Sequence, residues 1–440
     1  MGFSDLGAWI ERPADLGDPL SGDQVADVVV IGAGYTGLST ACALREEGMY
    51  VVVLDQDFAG SGASGRNAGH ATPTIGKDLW SMLSMQKKRG EGLMRFAAAA
   101  VTHFEATVER HSIDCDYVRE GNILAAVHPD QEPNLHKAVR MASERGIELT
   151  FLDGGAMRER GIPSAFRSGI LEEAGGVLDP GKFVTGLRRA AIDAGVRLYE
   201  QSPVVTILEG AQVVVETDQG RVAADRAVIA TNAYTAPTLG RMRSKVAPLR
   251  VSLFETEPLD GARLEALKWP GREGIYTAHE GLESYRLTAR NTIVGGAKYV
   301  AYCYGSRLPE ANDPKAFGII ESAFRDRFPE LEGIGIAHFW SGWIGFSYDF
   351  LPTLGVTGKS RNIYYGLAYA GHGLTQAVMM GSMLRDFMLG RPNEHVETLD
   401  RFLFPYPPEP FRWLYARAQM EIVYARDRRV DRRIRSRVQS

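Results

Sequence analysis

Cysteine is scarce in this chain: Cys42, Cys115 and Cys303 are the only three in 440 residues, and they are widely scattered. Their spacing excludes a disulfide framework and a cysteine-built metal site, so no metal is expected and the thiols read as reduced, as in a cytoplasmic protein. Long apolar runs are missing as well. None reaches the ~20 residues of a spanning helix, and no basic segment followed by an apolar one opens the chain, so neither a membrane span nor a secretory signal is expected. Nor is there an excess of charge: 50 basic against 54 acidic residues leave a net charge of -4, which gives no general attraction to nucleic acid or an anionic membrane. No internal repeat is visible. What is present is ordinary globular composition, 45% hydrophobic and 24% charged. The length exceeds that at which one hydrophobic core keeps growing, so two domains are expected.

The most informative segment comes early. Ala26-Asp27-Val28-Val29-Val30-Ile31 reads as a buried strand, Gly32-Ala33-Gly34-Tyr35-Thr36-Gly37 as a tight turn, Leu38 to Glu47 as a helix, and Val51-Val52-Val53-Leu54-Asp55 as a second strand ending in an acid. This is a βαβ unit for a dinucleotide. Gly32 allows the turn, Gly34 lets backbone approach a pyrophosphate at the helix N-terminus, and Gly37 permits close helix packing. Asp55, with Gln56 beside it, is expected at the ribose hydroxyls. A second small-residue loop follows, Gly60-Ser61-Gly62-Ala63-Ser64-Gly65-Arg66-Asn67-Ala68-Gly69-His70. A nicotinamide dehydrogenase would normally proceed to a helix here, whereas this loop can run along a flat ring system and offer it amide donors.

Three separated segments carry a resemblance: Gly-Tyr-Thr-Gly-Leu-Ser-Thr-Ala at 34–41, Gly-Ala-Ser-Gly-Arg-Asn-Ala-Gly at 62–69, and Tyr365-Gly366-Leu367-Ala368-Tyr369-Ala370-Gly371-His372-Gly373. In their types and order they resemble FAD-dependent amine and amino-acid oxidases of the D-amino acid oxidase superfamily, in the branch similar to gamma-glutamylputrescine oxidase. The resemblance spans about Val25 to Gly390. It implies FAD as cofactor and oxidation of a primary or secondary amine: hydride transfer to flavin, imine hydrolysis, and reoxidation by oxygen, giving hydrogen peroxide, or by another acceptor. A D-amino acid or N-methyl amino acid oxidase or dehydrogenase is the first alternative. A flavoprotein hydroxylase, which shares the first βαβ, is the second.

The resemblance also implies site residues. Gly62, Ala63, Ser64, Arg66, Asn67, Ala68 and Gly69 are expected along the flavin. Val204 matches a position whose backbone meets adenine, and Thr231 and Asn232 lie in a turn beside the ADP moiety. Asp349 matches the strand under the ring, and amides from Gly371 through His372, Gly373, Leu374 and Thr375 point at the flavin pyrimidine, where negative charge develops on reduction. His372 is a candidate catalytic group through its amide or its imidazole. Lys298, in Gly295-Gly296-Ala297-Lys298, resembles a lysine of sarcosine oxidases near flavin N5 that assists oxygen. His70, Trp343 and Tyr348 are candidates for the substrate wall, and Arg286 for a carboxylate anchor. Arg66 and Gly342 stand where some relatives carry a flavin-linking His or Cys, so FAD is expected to be non-covalent.

The expected fold class is α/β, a Rossmann-like FAD-binding domain with an interleaved antiparallel-sheet substrate domain. The boundaries read as 1–75, 175–240 and 340–440 for the first and 76–174 and 241–339 for the second. Apolar spacing between Leu79 and His111 predicts amphipathic helices, with Met82, Leu83 and Met85 as core. A helix over Gly373 to Leu389 should stop at Gly390-Arg391-Pro392. Seven arginines between Arg426 and Arg437 read as a solvated helix whose Trp413, Tyr415, Ile422 and Val423 pack on the body or on a second subunit. The partners expected are a small-molecule amine and an electron acceptor.

Overall fold

A computed structural model describes residues 6–76, 82, 86, 89–235 and 240–438; Leu83 and Met85 lie outside the described residues. The expected βαβ unit is present. Strand β1 (Gly22–Ile31) leads through the glycine turn into helix α1 (Tyr35–Glu46) and strand β2 (Val51–Leu54), and the two strands pair in parallel. The strand 220–229 pairs in parallel on the other side of β1, strand 363–367 beyond it, and strand 197–199 pairs in parallel with β2. Val28 to Ile31 of β1 and Val51 to Leu54 of β2 are buried on both faces, which the run of apolar residues without alternation requires.

The two faces are covered differently. Val28, Val30, Val51 and Val53 pack beneath α1 and the helices 90–110, 180–193 and 373–389. Val29, Ile31, Val52 and Leu54 meet Val213, Val215 and Val222 of a meander built from strands 204–208, 213–217 and 220–229. Helix 373–389 crosses α1 closely because Gly381 has no side chain: a Cβ there would lie 2.4 Å from the Ser39 carbonyl carbon. It ends at Gly390, in the left-handed conformation at φ 67, as the Gly-Arg-Pro stop predicts.

The second sheet has eight strands in the order 336–346, 247–256, 293–301, 284–287, 274–277, 122–126, 168–172 and 150–152. It is antiparallel except where 274–277 runs parallel to 122–126. One face packs on helices 154–159, 261–267 and 314–327; the other turns toward the nucleotide-binding layer. Two elements cross the boundaries read from sequence. Helix 90–110 buries Leu93, Phe96, Ala97 and Phe104, together with Met82, in the first core, and strand 336–346 pairs with 247–256 in the second sheet. The C-terminal helix 411–438 also lies on the second sheet, where the Tyr424 hydroxyl bonds the backbone of Val300 and Asp427 accepts from the amides of Glu280 and Gly281.

Candidate active site

A cavity of about 1600 Å³ opens where the C-terminal ends of β1 and β2 face the second sheet. Drug-sized ligand pockets are about 300–1000 Å³, so this one has room for a dinucleotide and a second small molecule. Gly32, Gly34, Tyr35, Thr36, Asp55 and Gln56 line one end, with Val204, Thr231 and Asn232 beside them. Gly37 does not line it. It sets the geometry from behind, since a Cβ there would fall 1.8 Å from the Gly32 carbonyl oxygen. No side chain caps α1; among the described residues the Tyr35 amide donates to Ser64 Oγ at 3.0 Å and the Leu38 amide to Gly34 O at 3.0 Å, and no bond is made by the amides of Thr36 and Gly37. The helix start therefore suits a phosphate. Asp55 accepts from the amides of Ala33 at 2.7 Å and Asp57 at 3.0 Å. Burial pushes its pKa up to about 6 against those two bonds, which favours partners that donate hydrogen bonds, as ribose hydroxyls do.

The second loop forms the next wall. Gly62 to Ser64 and Arg66 to His70 all face the cavity. Asn67 ties the loop together by donating to Ser64 O at 2.7 Å while its own oxygen accepts from the Gly69 amide at 2.9 Å. Across from it stand Gly371, His372, Gly373 and Leu374 at the start of helix 373–389, with Gly342, Ile344 and Phe346 from strand 336–346. The His372 ring contacts Ala370 O at 3.3 Å, and burial lowers its pKa, so a neutral ring and the helix start face the cavity. Thr375 points away, toward Thr72 O. A flat ring system can lie between the two glycine-rich walls, where Arg66 and Gly342 also line the cavity.

The family model described as FAD dependent oxidoreductase, DAO, matches residues 27–387. The chain belongs to this family. Among curated proteins it is 30% identical over 399 residues to "Gamma-glutamylputrescine oxidoreductase" of Escherichia coli (strain K12), covering 89% of this chain and 90% of that one. It is 24% identical over 427 residues to "D-amino acid dehydrogenase" of Vibrio atlanticus (strain LGP32), covering 84% and 97%. The fold matches that of glycine oxidase from Geobacillus kaustophilus with a TM-score of 0.73 at 20% identity, over 87% of this chain and all of that one. This is an FAD-dependent oxidoreductase.

Besides Gly37 and Thr375, four residues expected at the site of this DAO-family enzyme lie elsewhere. Lys298 is turned to the opposite face of the second sheet, where it pairs with Glu283 and, at 3.0 Å, with Asp431. The cause is a bulge. Leu253 pairs with Gly296 and Val251 with Val300, so residues 297–299 stand opposite the single Ser252, and Ala297 takes a φ of 76. The alternation that would aim Lys298 at the flavin is broken there, and Ala297 and Val300 line the cavity instead. Trp343 is fully buried and faces away, because the cavity-facing positions of its strand are 342, 344 and 346. Arg286 is buried beneath the 60–70 loop. It donates to Ala68 O at 2.6 Å over the ring of Trp9, so it supports the loop where a carboxylate anchor was expected. Asp349 is held by Arg401 and by Ser347 at 3.0 Å; burial opposes its ionisation, yet Arg401 keeps its pKa below the ordinary value.

Two substrate-wall expectations do face the cavity. Tyr348 lines it and stacks on Tyr415 of the C-terminal helix at 5.7 Å, with Tyr406 edge-on. His70 lines it with Nδ1 against Asn122 Oδ1 at 2.9 Å, and burial pushes its pKa down to about 4. Asn122, Glu172 and Tyr276 were missed by sequence reasoning. Strand 168–172 reads Ser-Gly-Ile-Leu-Glu, and only its period-2 alternation relative to strand 122–126 could have put Glu172 on the cavity face. His279, Glu283 and Asp431 also cluster closely enough to hold an ion, but Lys298 and Arg327 already supply the cations to these carboxylates.

Proposed function

We propose that this enzyme oxidises a primary or secondary amine, of the kind exemplified by gamma-glutamylputrescine, using FAD held without a covalent link. The observation that carries the reading is the 30% identity to a gamma-glutamylputrescine oxidoreductase over nine-tenths of both chains. The cavity chemistry supports it. Tyr348 and Tyr415 offer aromatic faces, which suit a cation, as Arg412 over the Tyr406 ring illustrates, and the arginine that would anchor an amino-acid carboxylate is occupied with Ala68. When bound, FAD supplies a two-electron acceptor for the hydride on the carbon beside nitrogen. The chain's part is to align that carbon between the flavin loop and the 371–374 turn and to exclude water there. Three unpaired thiols are consistent with a reducing compartment such as the cytoplasm.

The test is anaerobic mixing of the holoenzyme with polyamines, gamma-glutamyl amines, N-methyl amino acids and D-amino acids, read by bleaching of the flavin band. A gamma-glutamyl amine or polyamine should bleach it fastest. Bleaching by D-alanine with none by any amine would replace this reading with an amino-acid oxidase. Acid precipitation should release all the FAD, and flavin left in the washed pellet would disprove the non-covalent attachment.

A further inference from the structure

The cavity contains a carboxylate with no counter-ion among the described residues. The other buried glutamates among the described residues each pair with an arginine: Glu200 with Arg188, Glu255 with Arg290, Glu273 with Arg160 and Glu283 with Arg327, at 2.8 to 3.2 Å. Glu172 has no salt bridge among the described residues. It is 9% exposed and lines the cavity; the Tyr276 hydroxyl hydrogen-bonds its carboxyl group, while its Oε2 has no hydrogen-bond partner among the described residues. A buried carboxyl left this way is costly unless a ligand completes it.

Strand register puts a second acceptor beside it. Glu172 stands directly opposite Asn122, and Asn122 opposite Gly274, so the three lie in a row on one sheet face. The missing side chain at Gly274 makes room for the His70 ring, since a Cβ would lie 2.5 Å from its Nδ1. Asn122 Nδ2 donates to Ala71 O at 2.8 Å, which leaves Oδ1 as the acceptor facing His70 Nδ1. Nδ1 therefore carries the proton, and Nε2 presents a lone pair that is buried without a partner. Two unsatisfied acceptors thus flank Asn122 in the substrate cavity. We propose that Glu172 and His70 form the site that holds a cationic amino group of the substrate, with Glu172 as counter-ion and His70 Nε2 as hydrogen-bond acceptor, and that this pair selects cationic amines over anionic ligands. The inference deepens the amine-oxidase reading and rests on it. The environment agrees: burial pushes Glu172 up to about 7 and keeps His70 neutral, so both groups are poised to gain from an arriving cation.

The test is spectral titration of the oxidised, anaerobic holoenzyme with putrescine, and separately with butyrate, in the parent, Glu172→Gln, Glu172→Asp and His70→Asn. Glu172→Gln should weaken putrescine at least tenfold with FAD content unchanged and butyrate no weaker, and Glu172→Asp should recover part of the loss. His70→Asn keeps the contact with Asn122 and should also weaken putrescine, so it decides the matter should Glu172→Gln not accumulate as holoenzyme. Putrescine affinity equal to the parent in these variants would overturn the proposal. So would equal weakening of putrescine and butyrate, or a parent that binds no putrescine. The amine-oxidase reading fails by a different result, a parent whose flavin is bleached by dithionite but by no amine.

Discussion

The fate of a single charged side chain in this enzyme depends on which face of the second sheet it leaves. Lys298 leaves on the back, into a network where burial opposes every charge and pairing restores it. Burial alone would neutralise Glu283, yet Arg327 and Lys298 hold its pKa at about 2. Lys298→Met is therefore expected to cost stability, by about 3 kcal/mol because Glu283 keeps Arg327, and to leave the oxygen reaction of the reduced flavin unchanged. Thermal unfolding and stopped-flow reoxidation read the two effects separately; a slowed oxygen step would return Lys298 to the flavin. Glu172 is the opposite case. Its folded pKa, about 7, lies above the ordinary 4.5, so between those values the native state binds more protons than the unfolded one and stability falls as pH rises. Glu172→Gln removes that dependence. Relative to the parent, the variant should gain up to about 3 kcal/mol on going from below pH 4.5 to above pH 7, a ceiling because the cavity admits water. Denaturant titrations at the two pH values check it, and equal pH slopes would show that Glu172 ionises freely.

At the scale of elements, what could be read from sequence was what short-range pattern dictates. The first βαβ, the small-residue loop after it and the helix 373–389 with its glycine stop are set by local glycine geometry and by apolar runs, and all three elements appear where expected. A stringent consequence concerns Gly37, where any side chain collides with the Gly32 carbonyl at 1.8 Å. Gly37→Val should force α1 away from the turn, an overpacking of about 1–3 kcal/mol, and the purified protein should lose its FAD, as the flavin-to-protein absorbance ratio would report. A variant that keeps the parent ratio would mean the helix tolerates a shift. What could not be read depended on partners distant in sequence. Lys298 was misplaced by a bulge defined only by pairing with 251–253, Trp343 by the phase of an eleven-residue strand, and Glu172 went unseen because its face is fixed by register against 122–126. Period-2 alternation fixes which residues share a face, but the choice of face belongs to the sheet.

At the scale of the whole molecule, the arginine-rich C-terminal helix is bound to the body by ion pairs. Arg426 meets Glu280, Arg433 meets Asp130, and Asp431 reaches Lys298, Arg327 and His279. The same helix contributes Tyr415, Met420 and Val423 to the cavity wall, so it joins stability to enclosure of the site. The two roles can be separated. Asp431→Asn leaves the wall intact but removes one of the two carboxylates that ion-pair with both Lys298 and Arg327. The buried charge becomes unbalanced, and the melting temperature should fall by several degrees while FAD content stays at the parent level. A double-mutant cycle with Lys298→Met should show coupling of about 1–3 kcal/mol, because the two side chains touch. Ending the chain before Phe411 removes both roles. Beyond the lower melting temperature it should open the flavin to solvent, so that iodide quenches flavin fluorescence more strongly than in Asp431→Asn. Quenching equal in the two variants would show that the helix serves only as a brace on the back of the second sheet, and a parent-like melting temperature in both would remove the ion-pair network from the stability of the fold.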